Sequence, residues 1–195
     1  MLLGDSIFDN GAYTSGGPDV VTQLRDVLPP DWSASLAAVD GHVTKDIARQ
    51  LATVPGSATH LALSVGGNDA LQCLPILDTP TKDLRRGLTA LAAVTLEFEA
   101  QYAGAVELCL RRRLPMTVCT IYNGCFPDIA FQRLATVFVA LFDDVILRTA
   151  ARYALPVVDL RAVCSEPADY ANPIEPSGAG GAKIARALAL TLAPC

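Results

Sequence analysis

The chain is poor in histidine, in basic clusters and in long apolar runs. Only two of its 195 residues are histidines, and 15 basic residues stand against 20 acidic ones, for a net charge of −5. The absence of a basic stripe argues against a nucleic-acid partner. No apolar stretch is long enough to span a bilayer, and no N-terminal signal precedes the first strand, so we expect a cytoplasmic protein without a membrane span.

The cysteines show no metal-binding pattern either. None of the six forms a Cys-x-x-Cys pair, and His-rich partners are missing, so we expect no metal and no cofactor. Cys109 and Cys119 lie in apolar patterns that are typical of core thiols. Cys73, Cys125 and Cys164 each follow a predicted strand or helix end and could meet at one rim, although free thiols are the expected state.

The apolar pattern predicts a single domain, 1–195, because no linker, repeat or composition shift divides the chain. Its predicted strands lack polar alternation, which indicates a sheet covered on both faces. Alternation with helices predicts an α/β fold, a three-layer α/β/α sandwich with a five-stranded parallel sheet. The predicted strands are 2–4, 35–39, 60–65, 115–122 and 155–160, and the main predicted helices are 18–28, 44–51, 79–110, 128–153 and 178–192.

The first strand ends in a motif suited to chemistry, Gly4-Asp5-Ser6. Glycine tolerates a tight turn close to another backbone, and such a turn would expose the Ser6 side chain to solvent. If a helix began just after Ser6, its free N–H groups would point at whatever the hydroxyl attacks. Taken alone, the motif is more typical of a simple helix cap.

Two later strands end in similar polar turns. One closes in Asp40-Gly41, and the next closes in Gly66-Gly67-Asn68-Asp69. In parallel sheets, ligands bind beyond the carboxyl ends of the strands. We therefore expect Ser6, Gly41 and Asn68 to meet at one edge, where a hydroxyl and two hydrogen-bond donors would suit an acyl transfer.

This order of Gly-Asp-Ser, glycine and Gly-Gly-Asn-Asp resembles the SGNH (GDSL) hydrolases, and the resemblance covers nearly the whole chain. It implies the family's flavodoxin-like fold and Ser6 as the nucleophile of an ester hydrolase. It also implies an oxyanion hole built from the backbone N–H groups of Ser6 and Gly41 and the side-chain amide of Asn68. Asp5 and Asp69 are expected to be structural carboxylates that point away from their catalytic neighbours.

The family's last block, Asp-x-x-His followed by a proline and a glycine-led helix, is only partly matched by 172–181. Asn172 occupies the aspartate position and Glu175 occupies the histidine position. Of the two histidines, His60 begins the third strand, whose six residues span about 20 Å, so it lies at the wrong end of the sheet. His42 follows Gly41 and is left as a substrate-binding residue or alternative base.

Glu175 is the candidate for the missing base. A glutamate in a partly dry pocket can have a raised pKa and take the serine proton. Asp169 would raise that pKa further if it were close. The alternative is that Glu175 merely caps the last helix, because acids favour helix N-termini.

Two functions follow from these residues. The first is a serine esterase or lipase-like hydrolase of small acyl esters, with Ser6 as nucleophile and Glu175 as substitute base, acting on a small-molecule substrate. The second is a catalytically impaired binding or regulatory module that keeps the SGNH fold. Four aromatic residues near strand ends could line an acyl pocket: Phe8, Tyr13, Tyr122 and Phe126.

Overall fold

A computed structural model describes residues 1–193. Its main sheet is parallel, with the strands ordered as they occur along the chain. These strands are β1 (Leu2–Gly4), β2 (Leu61–Ser64), β3 (Met116–Cys119) and β4 (Val157–Val158). A separate antiparallel pair comprises β5 (Tyr170–Asn172) and β6 (Glu175–Pro176).

Helices cover both faces of the main sheet, which confirms the predicted three-layer α/β/α class. The helices are α1 (Val20–Val27), α2 (Ile47–Ala52), α3 (Gly67–Cys73), α4 (Leu84–Leu110), α5 (Ile129–Arg152), α6 (Leu160–Val163) and α7 (Gly178–Leu192). One apolar core joins the sheet to α2, α4 and α5, and a second core joins its other face to α1, α6 and α7. Short 3-10 segments span Gly11–Tyr13, Thr44–Asp46, Leu74–Asp78 and Pro167–Asp169.

The predicted strand at 35–39 is reduced to a single parallel bridge between Leu2 and Leu36, so the sheet has four strands rather than five. Gln50 accepts a hydrogen bond from the Gly4 N–H at 2.7 Å, a donor that a regular parallel ladder would give to 35–39, and it donates to the Gly4 carbonyl at 2.6 Å. The Gly4 carbonyl still accepts the Val39 N–H at 3.2 Å, and the N–H groups of Ala37 and Ala38 both donate to the Leu2 carbonyl. The segment 35–39 therefore lies beside β1 with an irregular set of hydrogen bonds and not as a regular strand.

The long helix α4 begins later than the sequence predicts. The sequence predicts a start at Thr79-Pro80, but the helix begins at Leu84. Its N-cap is Asp83, whose side chain accepts a hydrogen bond from the N–H of Arg86 at 2.9 Å. An aspartate with extended backbone is a strong N-cap, and it ends the preceding turn.

Two further expectations concern membranes and thiols. None of the helices within residues 1–193 combines the length and apolar character needed to cross a bilayer. The five cysteines in the described part of the chain are free thiols, of which three are buried, whereas Cys195 lies outside the described residues.

Candidate active site

Ser6 sits in a tight turn at the carboxyl end of β1. Gly4 has φ +138°, and a Cβ at this position would collide with the carbonyl oxygen of Ser64 on β2, so glycine is required for this approach. The Asp5 carbonyl then accepts the N–H groups of Phe8 and Asp9, both at 3.1 Å. Ser6 therefore follows a strand directly, in one turn rather than at the start of a regular helix.

Asn68 lies in the first turn of α3, beyond the end of β2. Its side-chain Nδ2 donates to the carbonyl of His42 at 3.0 Å, which fixes the amide and leaves its second N–H for another acceptor. This bond connects α3 to the loop that carries Gly41. Gly41 is exposed with φ +79° and has no recorded acceptor for its N–H within residues 1–193.

Ser6, Asn68 and Glu175 line one pocket, and the pocket with its open mouth encloses about 770 Å³. Three separate segments deliver them, after β1, after β2 and in β6. Gly41 does not line this pocket among the described residues, although the Asn68–His42 bond holds its neighbour beside it.

The Glu175 carboxyl is buried beside Ser6. Burial raises the pKa of Glu175, a hydrogen bond with the Ser6 side chain lowers it by a smaller amount, and the charge of Asp40 raises it. Its Oε2 atom is buried without a hydrogen-bond partner in the described chain. Glu175 does not cap the last helix, because the cap of α7 is Ser177, whose Oγ accepts from Gly180 at 3.2 Å.

The short loop that presents Glu175 is anchored from three sides. Asn172 Oδ1 accepts the N–H groups of Ile174 and Glu175, both at 3.0 Å. The Tyr122 hydroxyl donates to the Ile174 carbonyl at 2.7 Å, and Asn10 Nδ2 donates to the Pro176 carbonyl at 3.3 Å. These hydrogen bonds fix the backbone of the loop that presents the Glu175 carboxyl.

Sequence reasoning missed these anchors. The role of Asn172 could be predicted locally, because an asparagine side chain often accepts the N–H of the residue two positions later and so forms a turn. In this chain Asn172 occupies the family's aspartate position. The roles of Tyr122 and Asn10 could not be predicted locally. Their partners lie 52 and 166 residues away along the chain, so no local pattern reveals them.

Asp69 and Asp5, the aspartates next to Asn68 and Ser6, have different surroundings. Asp69 is structural as expected: it accepts from the Thr44 hydroxyl at 2.6 Å and from the Thr44 N–H at 3.1 Å. Asp5 instead lines the same pocket as Ser6, contrary to the expectation that it points away. Burial is the main cause that raises the pKa of Asp5 to about 8. Its bond to the Ile7 N–H opposes this shift, and the charges of Glu175 and Asp69 raise the pKa further by smaller amounts.

Asp169 is held elsewhere. It is buried, pairs with Lys183 Nζ at 2.7 Å and accepts the Glu166 N–H at 3.0 Å. The carboxylate that acts on Glu175 is therefore Asp40 and not Asp169. Among residues 1–193, no group of three or more His, Cys, Asp or Glu side chains is arranged to hold a metal ion.

Neither histidine lines the pocket that contains Ser6. Gln50 Nε2 lies 2.8 Å from Nδ1 of His42, and Arg49 Nη2 lies 2.8 Å from its Nε2. Since the Gly4 N–H fixes the orientation of the Gln50 amide, Nδ1 of His42 is an acceptor. His60 precedes β2 at the opposite end of the sheet and packs on Trp32 with ring centroids 4.6 Å apart.

Of the four aromatic residues expected near an acyl pocket, two line it. Tyr122 and Phe126 are in its wall. Phe8 is fully buried in the core between the sheet and α1, whereas Tyr13 hydrogen-bonds Asp40 at 2.7 Å near the surface.

A serine, a buried carboxyl and a fixed amide at the carboxyl edge of a parallel sheet are the parts of a hydrolase-type site. The sequence model of the GDSL-like lipase/acylhydrolase family matches residues 2–183 of this chain. The chain belongs to this family.

Solved structures with the same fold include a lipase from a goat rumen metagenome, at 21% identity and TM-score 0.73, covering 96% of this chain and 93% of that one. The extracellular lipase of Streptomyces rimosus matches at 15% identity and TM-score 0.71, with 97% of each chain covered. The acetylxylan esterase Axe2 of Geobacillus stearothermophilus matches at 16% identity and TM-score 0.64, covering 98% and 92%. A search of curated protein sequences returned no match.

Proposed function

We propose that the chain is a serine ester hydrolase of small acyl esters, with Ser6 as nucleophile and Glu175 as its base. The observation that carries this proposal is the buried carboxyl of Glu175 in the same pocket as the Ser6 hydroxyl, a pocket that Asn68 also lines. The family supports ester hydrolysis, and the structural neighbours named as lipases and as an acetylxylan esterase agree with it.

In the first half of the reaction, Ser6 Oγ attacks the ester carbonyl carbon while its proton moves to the Glu175 carboxylate. The carbonyl oxygen becomes an oxyanion, which accepts from the free N–H of Asn68 and from the backbone N–H groups of Ser6 and Gly41. When the intermediate collapses, the C–O bond to the alcohol breaks, and the alcohol oxygen takes the proton from Glu175. An acyl ester of Ser6 remains.

In the second half, water attacks the acyl carbon and gives a proton to Glu175. Collapse of this intermediate breaks the bond to Ser6 Oγ, which regains the proton, and a carboxylic acid leaves. The role proposed for Glu175 requires an ionised carboxyl with a free lone pair. The unpartnered Oε2 fits this requirement, since the loop does not consume its hydrogen-bonding capacity.

A binding or regulatory module is the second candidate, and a specific observation favours it. Neither histidine lines the pocket with Ser6: Nδ1 of His42 accepts from Gln50, and His60 is at the far edge of the sheet. Such a module would keep the pocket and lose turnover. The cytoplasmic location stays a prediction from the sequence.

Hydrolysis of p-nitrophenyl butyrate by wild type and by Ser6→Ala separates the two candidates. A matched control is Ser177→Ala, which removes a hydroxyl from the cap of α7 instead. We expect Ser6→Ala to abolish turnover above the spontaneous rate while Ser177→Ala retains it. Equal rates for wild type and Ser6→Ala would remove the enzyme proposal.

A further inference from the structure

The pocket beside Ser6 continues into an apolar space between the sheet and α5. Its polar catalytic end is formed by Ser6, Asn68 and Glu175. Beyond them the wall is built from aliphatic and aromatic side chains, namely Leu74, Ile121, Phe126, Phe131, Phe138 and Val139. Since apolar walls do not hydrate well, this space favours an apolar group attached to the reacting carbonyl.

Helix α5 provides one side of the space along two turns. Phe131, Ala135 and Phe138 are spaced at intervals of four and three, so they share one face of the helix. Seven residues of helix rise about 10 Å, which gives the apolar wall its length. Ala135 is the smallest of the three, and it leaves room between the two rings.

The loop between β3 and α5 forms another wall of this space, and contacts within the chain hold it in place without a ligand. Gly124, with φ +70°, allows the Phe126 ring to lie against it, since a Cβ there would come within 2.9 Å of the ring. The Gln132 side chain accepts from the Phe126 N–H at 2.7 Å and donates to the Asn123 carbonyl at 3.1 Å. Phe126 and Phe131 then pack edge to face, with centroids 4.9 Å apart.

On these grounds we propose that the acyl group of the substrate is an aliphatic chain of medium length, bound along α5 with Ala135 as the residue that sets its length. This inference rests on the proposed function, because the acyl carbonyl is positioned by Ser6. A preformed apolar slot binds a chain without spending binding energy on ordering the loop. Acetyl and other short acyl groups leave the slot unfilled.

The test compares p-nitrophenyl acetate, butyrate and octanoate, each below its micellar concentration. Burial of one methylene changes kcat/KM about fourfold, so we expect kcat/KM to rise steeply from acetate to octanoate. Ala135→Leu should cut kcat/KM for octanoate at least tenfold and leave the acetate value within about twofold. Phe131→Ala, at a half-buried position that tolerates truncation, should also lower the preference for octanoate over acetate.

The assays distinguish failure of the acyl-slot proposal from failure of the hydrolase proposal. Turnover that depends on Ser6 but is flat or falling with chain length would refute the acyl slot and leave the hydrolase proposal standing. No Ser6-dependent turnover of any ester would refute the hydrolase proposal. The slot is then decided by calorimetry with octanamide, a neutral probe that adds no second charge beside Glu175. Binding by wild type and its loss in Ala135→Leu support the slot, and no binding by wild type refutes it.

Discussion

Glu175→Gln is the substitution that tests the base most directly. Glutamine has the shape of glutamate and can keep a hydrogen bond to the Ser6 side chain, so the pocket should retain its form. It cannot accept the Ser6 proton as a carboxylate does. General-base catalysis contributes about 10²–10⁴-fold, so we expect kcat to fall by this factor, or about 3–5 kcal/mol in the barrier. KM should change little, because the acyl and oxyanion contacts remain.

The pH profile supplies the second readout. Burial raises the pKa of Glu175, so the ionised base is lost as the pH falls through a value above the ordinary 4.3 or so of glutamate. Wild-type kcat/KM should therefore increase with pH along an ascending limb. The small residual activity of Glu175→Gln should lack that limb.

Two variants provide the controls. Glu99→Gln makes the same chemical change in an exposed pair with Arg148 and should leave kcat and the pH profile unchanged. His42→Ala tests the alternative base and should keep both the ascending limb and most of kcat. The reasoning fails if Glu175→Gln retains wild-type kcat, or if His42→Ala abolishes turnover and the limb together while remaining folded.

Three further substitutions follow from the contacts around the site. Tyr122→Phe removes the hydrogen bond to the Ile174 carbonyl and should lower kcat about tenfold without raising KM. The control Tyr153→Phe loses a surface hydrogen bond to Glu107 and should leave kcat unchanged. Equal kcat values for the two variants would exclude Tyr122 as a positioning residue. Gly4→Ala should leave no folded protein by circular dichroism, because its Cβ would collide with the backbone of β2, and a native melting curve would contradict this. Asp5→Asn keeps an acceptor for the Ile7 N–H and should remove a descending limb of kcat/KM near pH 8, and a limb that persists would exclude Asp5 as its cause.

The sheet edge could be predicted from the sequence because it depends on local signals. Apolar runs that end in glycine and a polar residue specify both a strand and the end at which it stops, and Ser6 and Asn68 illustrate this. Parallel strands then bring their carboxyl ends to one side regardless of the sequence between them. The position of Glu175 followed from the family resemblance, and its burial beside Ser6 agrees with the role inferred for it.

Features that depend on single long-range contacts could not be predicted in the same way. The segment 35–39 has the composition of a strand, yet the Gln50 side chain accepts the Gly4 N–H that a further strand would use, and the segment is left with an irregular set of hydrogen bonds to β1. A glutamine in a short amphipathic helix gives no sign of this role. The same holds for Tyr122, which looks like an ordinary strand-end aromatic until its hydroxyl meets the Ile174 carbonyl.

The charge of the pocket is consistent with the proposed reaction, in which a carboxyl serves where histidine would be expected. A histidine base starts neutral and becomes a cation as the oxyanion forms, so it creates a new ion pair. Glu175 starts as an anion and becomes neutral, so a single negative charge moves from the base to the oxyanion. The transfer is disfavoured if a second anion lies in the same pocket, because two like charges in a partly dry space repel strongly. Asp5 is that second carboxyl, and burial keeps it protonated at neutral pH, since its pKa is raised to about 8. The burial of Asp5 therefore suits the role proposed for Glu175, since it confines the pocket to one negative charge throughout the proposed reaction.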